Sequence, residues 1–186
     1  YNPAGTGIDT WTTWTRDDGL TPGNVYSIYQ DRDGDLWAAT RHGVARATCT
    51  KTGEPEWTSF GEEGSLAGEW VYAICQDRAG CVWFGTFGKG AVWYDGGSFT
   101  TVTTEDGLPD NWVRSIVQDS DGGLWVTGPG CVGKYGLSKE NRGIWTTFRA
   151  EDGLGLRDSD GTFMRQHPSG DYWFVNQYVG VSRCSF

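Results

Sequence analysis

The sequence predicts an all-β protein made of four similar units. A stretch that runs from a glutamine through a turn with glycine to a tryptophan occurs at 30–37, 76–83, 118–125 and 166–173. Steps of 46, 42 and 48 residues separate its four tryptophans, and a near-constant period of this size is typical of radially repeated β folds. The 29 glycines and 11 tryptophans suit short strands joined by tight turns. We therefore predict a β-propeller.

Each unit is predicted to contain four strands. The first is an apolar run that barely alternates, as expected of an inner strand covered on both sides, at 25–29, 71–75, 113–117 and 163–165. The tryptophan strand follows at 36–40, 82–86, 124–127 and 172–175, and the third strand at 44–48, 91–94, 131–135 and 181–186. An outer strand with two hydroxyl residues between apolar ones lies at 11–14, 57–60, 99–102 and 145–148. Four such strands make one propeller blade.

The units form one predicted domain. Residues 1–10 show no periodicity and are predicted to be an N-terminal tail, and residues 11–186 a β-propeller of four repeats at about 11–56, 57–98, 99–144 and 145–186. The domain begins with an outer strand and ends with a third strand. We therefore expect the N-terminal strand to complete the last blade, which would close the ring and remove two exposed edges. The alternative is that a homodimer forms an eight-bladed ring, with each chain as one half.

Charge and composition limit the partners. The formal net charge of −9 disfavours nucleic acid and anionic membrane surfaces. No apolar run approaches the roughly 20 residues that span a bilayer, and no charged and then apolar leader precedes Tyr1. The five cysteines lack metal-ligand spacing and are expected to be free thiols rather than disulfides.

The sequence motif of the repeat is most complete in the first and third copies. They combine Asp18-Gly19-Leu20 with Ser27-Ile28 and the stretch 31–37, and Asp106-Gly107-Leu108 with Ser115-Ile116 and 119–125. This pattern resembles the two-component regulator propeller repeat, and the resemblance extends over nearly the whole chain. The second copy departs from it at Gly64-Ser65-Leu66, and the fourth has His167 in place of the turn aspartate. The resemblance implies a bacterial propeller, periplasmic or secreted, of the kind that binds oligosaccharides or other extracellular ligands in membrane-attached sensors.

In a propeller, the loops from the outer to the inner strand and from the second to the third strand emerge on the same face. Many of these loops carry carboxylates here, so one rim of the propeller is predicted to be acidic. Its carboxylates are Asp17, Asp18, Glu62, Glu63, Glu105, Asp106, Asp110, Glu151, Asp152, Asp158 and Asp160. They could hold a divalent cation or a polyhydroxylated ligand. The alternative, favoured by their recurrence in every unit, is that each Asp-Gly-Leu forms a turn whose aspartate accepts backbone N–H groups.

Candidate ligand-binding residues lie where the copies differ. Trp70 and Trp112 share a position at the start of the inner strands where the first copy has Asn24. Aromatic rings at a tunnel mouth can stack on sugars, and the alternative is that they pack between blades. The full candidate set is Trp70, Trp112, Asn24, Arg41, His42, Lys89 and Arg157.

The case for a metal or for catalysis rests on few residues. Asp-x-Asp-Gly occurs at 31–34, 119–122 and 158–161 and is similar to the start of a calcium loop, but the distant glutamate of that loop is absent. We expect the first two to be hairpin turns and retain Asp158 and Asp160 as candidate calcium ligands; no other cofactor is indicated. His42 is the one candidate general base, and the sequence shows no serine or cysteine in a nucleophile-elbow motif.

The sequence therefore favours an exported bacterial module without enzymatic activity, which recognises a glycan or a similar small ligand at an acidic, tryptophan-containing tunnel mouth. Two alternatives stay open. One is a metal-assisted lyase or hydrolase that uses the rim carboxylates and His42. The other is a structural propeller whose rim binds another protein.

Overall fold

The structure, a computed structural model, describes residues 12–49, 55–60, 66, 68–136, 143–154, 162–176 and 180–184. It contains four antiparallel sheets, each the blade of one repeat. Blade 1 consists of β1 (Val25–Gln30), β2 (Leu36–Thr40), β3 (Gly43–Cys49) and β4 (Pro55–Ser59). Blade 2 consists of β5 (Val71–Gln76), β6 (Val82–Thr86), β7 (Ala91–Tyr94) and β8 (Phe99–Val102). Blade 3 consists of β9 (Ser115–Gln118), β10 (Leu124–Gly128), β11 (Cys131–Tyr135) and β12 (Trp145–Arg149), and blade 4 of β13 (Thr162–Gln166), β14 (Tyr172–Asn176) and β15 (Gly180–Cys184).

A repeated aspartate builds the turn between the first and second strands. In blade 1, one carboxylate oxygen of Asp31 accepts the backbone N–H groups of Asp33 and Asp35, and the other accepts the indole N–H of Trp37 at 2.8 Å. The same aspartate-to-indole bond measures 2.9 Å in blade 2 and 2.8 Å in blade 3. The prediction of hairpin turns at 31–34 and 119–122 is therefore confirmed, and the bond explains why aspartate and tryptophan recur six residues apart.

The blades pack face to face in chain order. Trp37 of blade 1 is 1% exposed and lies in one core with Val71, Ile74 and Phe84 of blade 2. Trp83 packs with blade 3, and Trp125 with blade 4, in the same way. The inner strands β1, β5, β9 and β13 thus lie side by side, which confirms the predicted propeller. Trp173, the fourth repeat tryptophan, differs from the other three: it is 38% exposed, because no blade among the described residues follows blade 4.

The predicted closure by the N-terminal strand differs from the structure. Residues 12–14 have no regular secondary structure, and the sheet of blade 4 has three strands among the described residues; Trp11 lies outside them. The N-terminal segment is instead held at blade 1, where Gly19 lies against Trp57 and the hydroxyl of Thr21 lies 3.4 Å from that of Ser59. In the described part of the chain, β1 and β13 do not pack along each other as the neighbouring inner strands do.

The remaining expectations concern thiols and membranes. Cys75, Cys81 and Cys184 have free thiols, and the side chain of Cys49 lies outside the described residues. Burial raises the pKa of the Cys75 and Cys81 thiols. Among the described residues, no helix has the length and apolar character needed to cross a bilayer.

Candidate functional site

The first two inner strands begin with a β-bulge. The register between β1 and β2 shifts between Val25 and Ser27, and that between β5 and β6 shifts between Val71 and Ala73. Tyr26 and Tyr72 are therefore the extra residues, and their ring centroids lie 4.9 Å apart. Bulges change the direction in which a side chain points and are common beside functional sites.

The loops after each second strand are hydrogen-bonded to the starts of the inner strands. The backbone N–H of Arg41 donates to the carbonyl of Asn24 at 3.0 Å, and that of Phe87 donates to the carbonyl of Trp70 at 2.9 Å. In blade 2 the same loop also reaches blade 3, where the N–H of Gly90 donates to the carbonyl of Asn111 at 2.7 Å. The two sets of loops therefore share one end of the propeller, as predicted.

Aromatic rings form a continuous group at this end. The ring of Phe87 lies 5.5 Å from that of Trp70 and 4.4 Å from that of Trp112, so it joins the two tryptophans of neighbouring blades. Tyr72 stands edge-on to Trp70 and to Phe87 at 6.4 Å in each case. Phe87 is 44% exposed although it is large and apolar. Contiguous exposed apolar groups are typical of interaction sites, so this end of the propeller is the candidate site.

Two guanidinium groups lie on these rings. The Cζ atom of Arg41 is 4.8 Å from the centre of the Trp70 ring. The Cζ atom of Arg114 is 4.5 Å from the Trp112 ring and 5.0 Å from the Tyr72 ring. Such cation–π contacts hold arginine side chains in place while leaving their donors available. We call this group the aromatic–arginine cluster, and its members are Tyr26, Arg41, Trp70, Tyr72, Phe87, Trp112 and Arg114.

Two polar atoms of the cluster lack a partner. Nε1 of Trp112 and Nε of Arg114 are both buried and make no hydrogen bond with any described residue. The carboxylate of Asp110 accepts the backbone N–H of Trp112 at 2.7 Å, which fixes the position of that residue. Nε1 of Trp57, outside the cluster, is buried without a partner in the same way, so the two missing bonds do not by themselves mark a ligand site.

The structure brings together only part of the predicted ligand-binding set. Trp70, Trp112 and Arg41 belong to the cluster, and Asn24 is attached to it through its carbonyl. Lys89 instead forms an ion pair with Glu69, with an N–O distance of 3.5 Å. His42 is exposed and lies beside Gly23.

Three predicted site residues, Arg157, Asp158 and Asp160, lie outside the described residues. Elsewhere, the described part of the chain contains no group of three potential metal ligands. Four members of the cluster were not predicted: Tyr26, Tyr72, Phe87 and Arg114. Phe87 occupies the place of Arg41 in the second copy, and this difference between copies was a usable signal.

The rim aspartates serve the turns. The carboxylate of Asp18 accepts the backbone N–H of Thr15 at 2.7 Å, and Asp106 and Asp152 make the same bond at 2.9 and 2.8 Å. A glycine with positive φ follows each of them, with values of 98°, 91° and 87°. The structural interpretation of Asp-Gly-Leu is therefore correct in these three copies.

These features define the class of the protein: a β-propeller that carries a preformed aromatic and cationic surface at one end of its inner strands. The family model described as two component regulator propeller matches residues 19–42, 65–88 and 107–130. The chain therefore contains three repeats of the two-component regulator propeller type, which confirms the resemblance found in the sequence.

Solved structures share the fold. The extracellular domain of a hybrid two-component system from B. thetaiotaomicron superimposes with a TM-score of 0.73 at 20% identity, covering 98% of this chain and 24% of that one. The extracellular domain of a one-component system from the same organism gives 0.59 at 18% identity, covering 87% and 24%. A catalytically inactive virginiamycin B lyase from Staphylococcus aureus with quinupristin gives 0.58 at 18% identity, covering 89% and 56%. The chain thus spans about a quarter of the length of the two sensor domains. No match was found among curated proteins.

Proposed function

We propose that the chain is part of an extracellular bacterial sensor and that its aromatic–arginine cluster binds an oligosaccharide. The observation that carries this proposal is the continuous surface formed by Trp70, Phe87 and Trp112, with guanidinium groups held on both tryptophans. The similarity to extracellular domains of two-component systems supports the location. The family match supports the sensor role.

The chemistry of the cluster suits a sugar. Flat aromatic rings offer an apolar face, and tryptophan also carries a polar N–H, so that one side chain can stack on a sugar ring and bond a hydroxyl. Arginine also forms two parallel hydrogen bonds with a carboxylate, which would favour sugars that carry an acidic group.

Binding can be measured with a panel of neutral and uronic-acid-containing oligosaccharides on an array, followed by calorimetry on the best probe. We expect Trp70→Ala and Trp112→Ala each to weaken affinity at least about tenfold, the equivalent of about 1.4 kcal/mol. Ile144→Ala, which removes an apolar side chain that is 56% exposed, serves as the control and should leave affinity unchanged.

The charged half of the site is tested separately. Arg41→Ala should weaken binding of acidic oligosaccharides more than that of neutral ones, while Arg16→Ala in the exposed turn Arg16–Asp18 should affect neither. If the tryptophan variants bind every probe as well as the wild type, the cluster is not the binding site and the proposal fails.

A further inference from the structure

Arg41 and Phe87 occupy the same position of the repeat, directly after the second strand of blades 1 and 2. In both blades the backbone N–H at this position donates to the carbonyl of the residue that precedes the inner strand. The bond runs from Arg41 to Asn24 at 3.0 Å and from Phe87 to Trp70 at 2.9 Å. Both side chains are exposed. One loop position of the repeat therefore presents a cationic group in one blade and an apolar ring in the next.

The backbone of Phe87 is also bonded to blade 3. Phe87 and Trp112 form an isolated antiparallel bridge, and flanking hydrogen bonds of 2.8 and 3.0 Å join residues 86–88 to residues 111–113. Side chains that lie directly opposite each other in such a pair stand on the same side of the backbone. The ring of Phe87 is thus held in place by blades 2 and 3 together, so a ligand that binds it has little side-chain freedom to remove.

The exposure of Phe87 arises in the interior of the repeat array. Blade 2 has a neighbouring blade on each side, so its loops do not lie at an end of the chain. The ring is 44% exposed although it contacts three other aromatic rings of the cluster. No guanidinium of the described part of the chain lies on this ring. Phe87 therefore offers accessible aromatic surface in a fixed position.

Trp70 and Trp112 have less surface to offer. The Cζ atom of Arg41 lies 4.8 Å from the centre of the Trp70 ring, and that of Arg114 lies 4.5 Å from the Trp112 ring. A cation therefore covers one face of each indole. Both indoles are half-buried, and both contact Phe87, with angles between the ring planes of 32° for Trp70 and 74° for Trp112. Their contacts support the ring of Phe87 and the two guanidinium groups.

We propose that Phe87 is the residue that stacks on a sugar ring, and that Trp70 and Trp112 are positioning residues. This inference rests on the proposed function, because it assigns the contact within the same oligosaccharide site. A flat apolar ring covers the apolar face of a sugar whether or not that sugar carries a charge. Arg41, from the same repeat position in blade 1, then supplies the contact that distinguishes acidic from neutral sugars.

The test uses the full chain and two probes, the tetrasaccharide of galacturonic acid and the neutral tetrasaccharide of galactose, measured by calorimetry. Phe87→Leu keeps an apolar side chain but removes the flat ring, so it should weaken both probes by the same factor, at least about tenfold. Phe87→Tyr keeps the ring and should bind both probes within about threefold of the wild type. The matched control is Phe163→Leu, the same change at a ring outside the cluster that is 55% exposed, and it should leave both affinities unchanged.

A second measurement separates contact from support. The amino acid 4-fluorophenylalanine, incorporated at position 87, gives a fluorine signal in the NMR spectrum that should shift when the galacturonate tetrasaccharide is added. The same label at position 163 should not shift. A ring that only supported the tryptophans would lower the affinity of Phe87→Leu without a shift of the signal at position 87.

The outcomes separate this assignment from the proposed function. If Phe87→Leu binds both probes within about threefold of the wild type while Trp70→Ala and Trp112→Ala lose affinity, the tryptophans are the contacts. The assignment is then overturned and the proposed function stands. A fluorine signal at position 87 that stays unshifted at saturating probe overturns it as well. Failure of the wild type to bind either tetrasaccharide also overturns the assignment, and failure to bind any oligosaccharide of the panel overturns the proposed function too.

Discussion

Asp119 provides the sharpest test of how the turns stabilise the fold. Its carboxylate is 4% exposed and accepts the backbone N–H of Gly123 at 2.6 Å, the indole N–H of Trp125 at 2.8 Å and the hydroxyl of Tyr172 in the next blade at 3.0 Å. Lys134 lies 3.4 Å from the same carboxylate. Replacement of Asp119 by asparagine keeps the shape of the side chain but removes its charge. It also replaces one carboxylate oxygen by an NH₂ group, which cannot accept the hydrogen bonds that this oxygen receives.

The magnitude follows from the contacts that are lost. A hydrogen bond to a charged group contributes about 1.5–3 kcal/mol, and an unsatisfied buried donor costs about 1–3 kcal/mol. We therefore expect Asp119→Asn to lower the free energy of unfolding by about 3–5 kcal/mol, in line with the cost of breaking a buried charged network. Asp121→Asn, at an exposed position of the same turn, should change it by less than about 0.5 kcal/mol.

Urea unfolding followed by tryptophan fluorescence measures both variants, and the slope of each transition shows whether the two-state treatment still applies. Equal midpoints for Asp119→Asn and Asp121→Asn would refute the argument, because the buried bonds would then contribute nothing beyond the exposed turn.

The same carboxylate predicts a pH dependence. Burial acts to raise the pKa of Asp119, but the bonds from Trp125 and Tyr172 outweigh it and the pKa is lowered. A lowered folded-state pKa gives a contribution that is present above the unfolded-state value of about 3.9 and is lost as the pH falls through the folded-state value. The stability difference between the wild type and Asp119→Asn should be constant from about pH 5 to 7 and shrink below about pH 4.

Two further predictions follow from the same packing. Burial and the bond to Asp119 raise the pKa of Tyr172 to about 12, so absorbance at alkaline pH should show a late-titrating tyrosine that Tyr172→Phe removes; an unchanged titration would count against the bond. A Cβ at Gly90 would lie 2.1 Å from the carbonyl oxygen of Val102, whereas one at Gly88 meets nothing within 4 Å, and both glycines have positive φ. Gly90→Ala should therefore lower the melting temperature well beyond Gly88→Ala, which bears only the backbone strain of about 1 kcal/mol, and equal losses would show that the contact relaxes.

The repeat made the blades predictable because one local bond fixes each turn. Asp31 and Trp37 recur in register because the carboxylate accepts the indole N–H, so their spacing alone predicts a hairpin. The exposure of Trp173 could not be predicted in this way. It shares its place in the repeat with Trp37, but its exposure depends on the blade that follows and not on the local sequence.

The sequence predicted only some of the residues of the candidate site, because a β-bulge places two of the others there. Trp70 and Trp112 stood out because the first copy has Asn24 at their position. Tyr26 and Tyr72 lie inside apolar runs that predict ordinary strand residues, and they reach the site because a bulge shifts the register there. Where a bulge falls depends on pairing with the next strand, which a hydrophobic pattern does not encode.

The aromatic–arginine cluster is built from blades 1 to 3, and blade 4 has Thr162 at the place of Tyr72, in regular register with Asn176. A single chain therefore already holds the complete cluster, and its oligosaccharide affinity should stay constant across a dilution series. A loss of affinity on dilution would show that a second copy contributes to the site.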